Sequence, residues 1–168
     1  SGIASFVTAY DTHYEMNLGM NDRIEACMLG SGSAPRSLIG GFVLMDHSNN
    51  YNCTQILQKD DWSVDVLICI ASRETKKISS REGMEISKRT SPLYQDWLDT
   101  NEKHISLALD AIKEKNMSRL EKVTEENCNF MHEVMKTSKP SIIYMNDVTH
   151  SCIAEIENLR ASGHKLFY

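Results

Sequence analysis

The run Gly30-Ser31-Gly32-Ser33-Ala34-Pro35-Arg36-Ser37, followed directly by Leu38-Ile39-Gly40-Gly41-Phe42-Val43, decides the reading of this chain. Its glycines let the backbone come close to an anion, its hydroxyls can donate to anion oxygens, and Arg36 supplies a fixed positive charge. A second loop of related chemistry follows at Lys76-Lys77-Ile78-Ser79-Ser80-Arg81-Glu82-Gly83-Met84. Two loops that combine hydroxyls with arginine, on a chain of net charge −5, predict a site for an acidic small molecule. The apolar residues after the first loop predict a strand over 37–45. Val64-Asp65-Val66-Leu67-Ile68-Cys69-Ile70-Ala71, nearly all apolar and rich in β-branched side chains, predicts a buried central strand.

Composition narrows the function classes. The 168 residues suffice for one domain or parts of two. A net charge of −5 argues against nucleic acid or an anionic membrane as the main partner. The five cysteines, Cys27, Cys53, Cys69, Cys128 and Cys152, form no C-x-x-C pair and no zinc-like cluster with histidine. That odd, scattered set predicts buried thiols in a reducing, cytoplasmic compartment. No apolar run reaches the ~18 residues that a membrane span needs. Ser1-Gly2-Ile3-Ala4-Ser5 has neither an initiator methionine nor the basic start of a signal peptide, so the chain is expected to begin inside something longer.

Periodicity predicts helix up to about Leu29, with Asn21 or Asp22 as a cap and Ile24 paired with Met28. Asp46–Tyr51 reads as a polar turn centred on Asn49-Asn50. Beyond the second loop the pattern turns helical, with Ser91-Pro92 as a start signal. One helix carries the stripe Ile105, Ala108, Leu109 and Ile112. A second carries Leu120, Val123, Asn127, Met131 and Val134 and ends at Lys139-Pro140. Asp147 is read as the cap of a third helix, which Gly163 stops. Lys165–Tyr168 reads as a strand beginning. Glu125-Glu126 is read as a solvated face, and His132 as structural. The order of elements gives an α/β (α+β) two-layer fold with a boundary near Lys59–Asp61.

These segments carry a resemblance. The chain resembles the mevalonate diphosphate decarboxylase family, within the superfamily of small-molecule kinases named for galactokinase, homoserine kinase, mevalonate kinase and phosphomevalonate kinase. Gly30–Val43 is the most family-specific stretch. Lys76–Met84 resembles the family's K-x-S-S-R-x-G-M segment, with Thr90-Ser91-Pro92-Leu93-Tyr94 at the expected distance. Ser1–Ser5 resembles part of the superfamily's phosphate-binding loop. Met131-His132 and Tyr144-Met145-Asn146-Asp147 match family-like positions.

The resemblance implies a GHMP-kinase-like fold. Residues 1–60 would be the end of the N-terminal, S5-like half, and residues 61–168 most of the ferredoxin-like C-terminal half. It implies ATP-dependent decarboxylation of 5-diphosphomevalonate to isopentenyl diphosphate, with ATP and Mg2+ as cofactors, no metal ligand from this chain, and homodimers as a common assembly. Arg36 is the expected catalytic residue, holding the substrate's carboxylate or phosphate. Ser31, Ser33, Ser79, Ser80 and Arg81 are the expected substrate-binding partners. Ser1, Gly2, Ala4 and Ser5 are expected to cradle ATP phosphates through backbone N–H groups. Lys76 and Lys77 would form a basic edge that steers anions. An ion pair to Glu82 or Glu85 is the ordinary alternative for Arg81, and a surface salt bridge for Arg36.

The departures from the family pattern are specific. Family members are roughly twice as long as this chain. A segment bearing a lysine and an asparagine near the substrate would precede Ser1, and the D-A-G-P-N segment with the catalytic aspartate would follow Tyr168. Phe6-Val7-Thr8 stands where Ser-Ala-Ser is expected. An incomplete chain is the expectation. The alternatives are a mevalonate 3-kinase, a phosphomevalonate decarboxylase, or a non-catalytic module that binds phosphorylated metabolites.

Overall fold

The computed structural model describes residues 1–46 and 52–168. The expected turn at Asn49-Asn50 lies outside the described residues. The chain divides into two compact units, Ser1–Val64 and Asp65–Tyr168.

The first unit opens with two helices, α1 (Gly2–His13) and α2 (Met20–Gly30), where periodicity had suggested continuous helix. The break is organised by Asp11, which is buried and bound to Arg23 at 2.6 Å. The Asp11 carboxylate also accepts the Leu18 N–H at 3.0 Å. The cap of α2 lies upstream of the expected position: Gly19 is the N-cap, and the Asp22 carboxylate reaches back to its N–H at 3.1 Å. Small side chains let these elements approach closely. Ala4, Cys27 and Ala34 are buried together, with Ile3, Val7 and Leu38 against them. A 3-10 turn, Ala34–Leu38, then leads to an antiparallel hairpin of β1 (Phe42–Asp46) and β2 (Asn52–Leu57). The strand expected over 37–45 therefore starts later, because Pro35 favours the tight turn at its beginning. Phe42 stacks on Trp62 with ring centroids 5.3 Å apart.

The second unit is helical: α3 (Ser80–Thr90), α4 (Tyr94–Lys113), α5 (Met117–Lys136) and α6 (Asp147–Ala161). Helices α4 and α5 pair as a hairpin, and Ala111, Leu120, Val123, Val134 and Met135 are buried. Helix α4 starts after Leu93; the Ser91 hydroxyl accepts the Leu93 N–H at 3.2 Å. Helix α6 is capped by Asn146, whose side-chain oxygen accepts from the Thr149 N–H at 2.9 Å, so Asp147 is its first residue and not its cap. Gly163 ends it at φ +100°.

Two expectations fail here. Among the described residues 64–71 pair with no strand, and Val66 and Leu67 are 84% and 88% exposed. Apolar, β-branched composition equips a segment for a sheet interior, but burial requires neighbouring strands, and the only described strands are in the other unit. Likewise 165–168 form no strand.

Glu125 is not on a solvated face. It and Glu121 hold Arg160 of α6: a guanidinium N–H meets Glu121 at 3.0 Å, and both Glu125 oxygens accept from Arg160. Arg160 also donates to the Leu166 carbonyl at 3.2 Å. The hydrogen bond to Glu125, offset in part by desolvation, raises the Arg160 pKa above its ordinary value, so the charge is fixed.

Because α6 has no fully buried residue, this fork is its principal attachment to α5. Arg160→Met is expected to lower stability by about 2 kcal/mol, the cost of losing charge-assisted bonds to partly buried carboxylates, and to speed amide exchange in α6 before the rest of the unit.

Burial, reinforced by the Lys76 ammonium, lowers the pKa of the half-buried His132 imidazole below its ordinary 6.5. The unfolded chain therefore protonates His132 first as pH falls. Its contribution to stability is present above about pH 6.5 and is lost progressively below it. Urea midpoints measured from about pH 7 down to about pH 5.5 should fall, and His132→Gln should flatten that slope.

Candidate functional site

The two basic loops lie in different units, and each is built by its own local packing. In the first unit Ala34 and Pro35 are buried, which anchors the middle of the loop and leaves Ser33 and Arg36 exposed at its surface. Gly30 is required by close approach: a Cβ there would lie 2.8 Å from a terminal carbon of Ile3 in α1. The Ser31 and Ser33 hydroxyls come together at 3.2 Å, and the Ser33 N–H points to the Ser31 oxygen at 3.4 Å. Ser31, Ser33 and Arg36 thus form one short polar ledge. Among the described residues no carboxylate pairs with Arg36, so the salt-bridge alternative is not realised.

In the second unit the Lys76–Met84 loop ends in the start of α3. Ser79 is the N-cap: its hydroxyl oxygen accepts the Glu82 N–H at 3.2 Å, and its carbonyl accepts the Gly83 N–H at 2.8 Å. Its oxygen is therefore engaged in capping, and only its O–H proton is left for a ligand. Ser80 and Arg81 are exposed on the first turn, beside N–H groups that no carbonyl within the helix satisfies. Neither Glu82 nor Glu85 forms an ion pair with Arg81. A hydroxyl, a guanidinium and free amides at the positive end of a helix dipole constitute an anion-binding arrangement.

The far end of α3 is fastened to α5. Ser87 and Ser138 are both buried with their oxygens 2.8 Å apart, and Ser138 donates to the Val134 carbonyl at 2.9 Å. Since the Ser138 proton goes to that carbonyl, Ser87 donates to Ser138. Ser91 meets Thr137 at 2.8 Å, and the Lys139 N–H donates to the Thr90 hydroxyl at 2.9 Å.

Ser1–Ser5 departs from the expected loop. Ser1 is the N-cap of α1, Gly2, Ala4 and Ser5 form its first turn, and the Ala4 side chain is packed in the core of the unit. The Ser5 N–H is bonded to the Ser1 carbonyl at 3.0 Å and is not free for a phosphate. The amides of Gly2, Ile3 and Ala4 precede the first bond of the helix and remain available.

Lys76 does more than the expected basic edge. Its ammonium sits 4.9 Å from the centre of the Tyr144 ring. Tyr144 and Asn146 line, with 69–78, an open cavity of about 640 Å3. Asn146 donates to the Ala71 carbonyl at 3.4 Å, tying the extended segment to the start of α6. No described helix is long and apolar enough to cross a membrane.

Comparison with known proteins bears on this geometry directly. Residues 66–166 match the family model for the mevalonate 5-diphosphate decarboxylase C-terminal domain. Diphosphomevalonate decarboxylase from Ganoderma lucidum is 33% identical over 168 aligned positions, which cover 93% of this chain and 41% of that protein. Among solved structures, mevalonate diphosphate decarboxylase from Staphylococcus aureus superposes with a TM-score of 0.85 at 30% identity, covering 99% of this chain and 52% of that one. A complex described as MDDEF with MVAPP, AMPPCP and magnesium gives a TM-score of 0.85 at 31% identity, again covering 99% of this chain and 52% of that one. The chain thus spans about half the length of the relatives it matches, and its fold is that of the small-molecule kinases. With the family model matching 66–166, which takes in α3 to α6 and more than half of the chain, the chain belongs to the mevalonate 5-diphosphate decarboxylase family.

Proposed function

We propose that this chain supplies the substrate-gripping loops for ATP-dependent decarboxylation of 5-diphosphomevalonate. The observation that carries the reading is a pair of arginines that, among the described residues, form no ion pair with a carboxylate. Arg36 stands beside the Ser31–Ser33 hydroxyls, and Arg81 stands beside Ser80 at the free amides of α3. A substrate with a carboxylate at one end and a diphosphate at the other calls for two such cationic, hydroxyl-bearing places.

The roles divide by chemistry. Arg36, as the catalytic residue, holds the carboxylate in the orientation from which carbon dioxide departs, while Ser31 and Ser33 donate to neighbouring oxygens. Ser80 and Arg81 bind the diphosphate, with the remaining Ser79 proton available to it. Holding the carboxylate in a set orientation means that, once the phosphate departs and positive charge develops on the tertiary carbon, the electron pair released with carbon dioxide can neutralise it. The free amides of Gly2, Ile3 and Ala4 at the start of α1 suit a nucleotide phosphate, and Ser1 and Ser5 flank them. ATP, with Mg2+ on its phosphates, supplies the phosphoryl group that turns the tertiary hydroxyl into a leaving group.

The complex with MVAPP, AMPPCP and magnesium supports the same pairing of substrate and nucleotide in a relative. In this reading the first unit is the end of the family's N-terminal half and the second is most of its C-terminal half, with the boundary near Lys59–Asp61. No disulfide joins any two of the five cysteines, of which only Cys27 is buried, and this supports a reducing, cytoplasmic setting; the family resemblance adds homodimeric assembly.

Titration calorimetry of 5-diphosphomevalonate into the chain tests the loops. Arg36→Ala and Arg81→Ala are each expected to weaken binding by about tenfold to hundredfold with the helical circular dichroism unchanged. Undiminished affinity in both variants would remove the reading. Assay of the intact protein for ATP-dependent carbon dioxide release tests the reaction. Phosphorylation without that release would make it a kinase.

A further inference from the structure

The phenol of Tyr144 lies at the turn into α3. Its O–H is 3.1 Å from the Ser79 carbonyl and 3.2 Å from the Ile78 carbonyl, so its one proton is shared between the two residues that immediately precede Ser80-Arg81. The Ser79 carbonyl already accepts the Gly83 N–H at 2.8 Å, so the tyrosine fills its second acceptor site. Gly83 leaves the necessary space: a Cβ on that buried residue would lie 2.5 Å from the phenol oxygen. On the ring face, Lys76 is held 4.9 Å from the centroid. Tyr144 thus touches the loop through the Lys76 side chain, two backbone carbonyls and the helix residue that follows the arginine by two positions. Burial, together with the Glu82 carboxylate, raises the phenol pKa above its ordinary value and keeps it protonated as a donor.

We propose that Tyr144 is the positioning residue of the Ser80–Arg81 diphosphate grip, acting through the Ser79 carbonyl and the space left by Gly83. This rests on the proposed role of that loop. The cap alone fixes the amides of Glu82 and Gly83 relative to Ser79, but it does not fix Ser79 relative to the rest of the unit. The phenol does so, because Tyr144 stands two residues after Ile142, which is buried and whose N–H is bonded to the Met135 carbonyl of α5 at 3.1 Å. The chain of attachment runs from α5 through Ile142 and Tyr144 to the start of α3. Arg81 is thereby aimed without any contact between Tyr144 and the ligand.

The test uses Tyr144→Phe, which keeps the ring and the Lys76 contact and removes only the hydroxyl, and Gly83→Ala, which displaces the hydroxyl from the other side. Hydrogen exchange at the Glu82 and Gly83 amides should accelerate about fivefold in both variants, while amides in the middle of α5 keep their rates. Affinity for 5-diphosphomevalonate should fall about fivefold in both, less than the tenfold to hundredfold weakening expected of Arg81→Ala. Unchanged exchange at Glu82 and Gly83 would overturn the proposal, as would accelerated exchange with undiminished affinity. If the wild-type chain shows no affinity for 5-diphosphomevalonate, the functional reading of the loop fails, and the proposed grip fails with it. The exchange rates then still report whether Tyr144 anchors the turn, which separates the two failures.

Discussion

Much of the second unit depends on one buried contact, the Ser87–Ser138 hydroxyl pair between α3 and the residues just after α5. Two hydroxyls out of water are costly unless every proton has an acceptor. Here the relay Ser87 to Ser138 to the Val134 carbonyl satisfies both. The small serines also let α3 approach where a larger side chain would hold it away. Ser91–Thr137 and Lys139–Thr90 extend the clamp at the same end of the helix. A short helix of otherwise polar composition gains its fixed place from these contacts, and a fixed helix gives a fixed first turn. Polar packing at the far end of α3 thus fixes the helix that carries Ser80 and Arg81, while Tyr144 holds the turn from which they emerge.

The first unit reaches a similar result by different means. Its loop is set by small apolar residues: Ala34 is drawn inward beside Cys27 and Ala4, Pro35 is buried next to it, and Ser33 and Arg36 on either side are left at the surface. Arg36 therefore sits on a turn with little freedom of its own, since Pro35 restricts the backbone before it. Burial raises the Cys27 thiol pKa, so it serves as a small apolar filler and not as a nucleophile. The ion pair of Asp11 and Arg23 fixes the angle between α1 and α2 and thus the end of α2 from which the loop emerges.

Legibility followed the range of the interactions. The hairpin of α4 and α5 was readable because burial of Leu120, Val123 and Val134 is a matter of period, which the sequence displays. Errors arose where a tertiary partner decided. Glu125 has the composition of a solvated face, and only Arg160, 35 positions away, makes it a half-buried anchor. Asn146 and Asp147 are both competent caps, and one residue of register chose between them. Residues 64–71 have the pattern of a sheet interior, but a pattern records what a segment can bury and not whether neighbouring strands are there. Tyr144 belonged to a quoted motif, yet nothing in its spacing revealed a bond to the Ser79 carbonyl, which is 65 positions away.

These distinctions bear on how the two arginines differ. Arg36 is carried by a 3-10 turn whose backbone is fixed by neighbours on both sides, so its guanidinium moves chiefly through its own side chain. Arg81 is carried by the first turn of a helix, where free N–H groups add positive potential to its charge. The second arrangement suits a diphosphate, whose several oxygens can be shared among amides, a hydroxyl and a guanidinium. The first suits a carboxylate, which needs one planar partner in one orientation. A lysine at either place would keep the charge and lose the fork. The proposed assignment of carboxylate to Arg36 and diphosphate to Arg81 rests on how each backbone presents its side chain as much as on the side chains themselves.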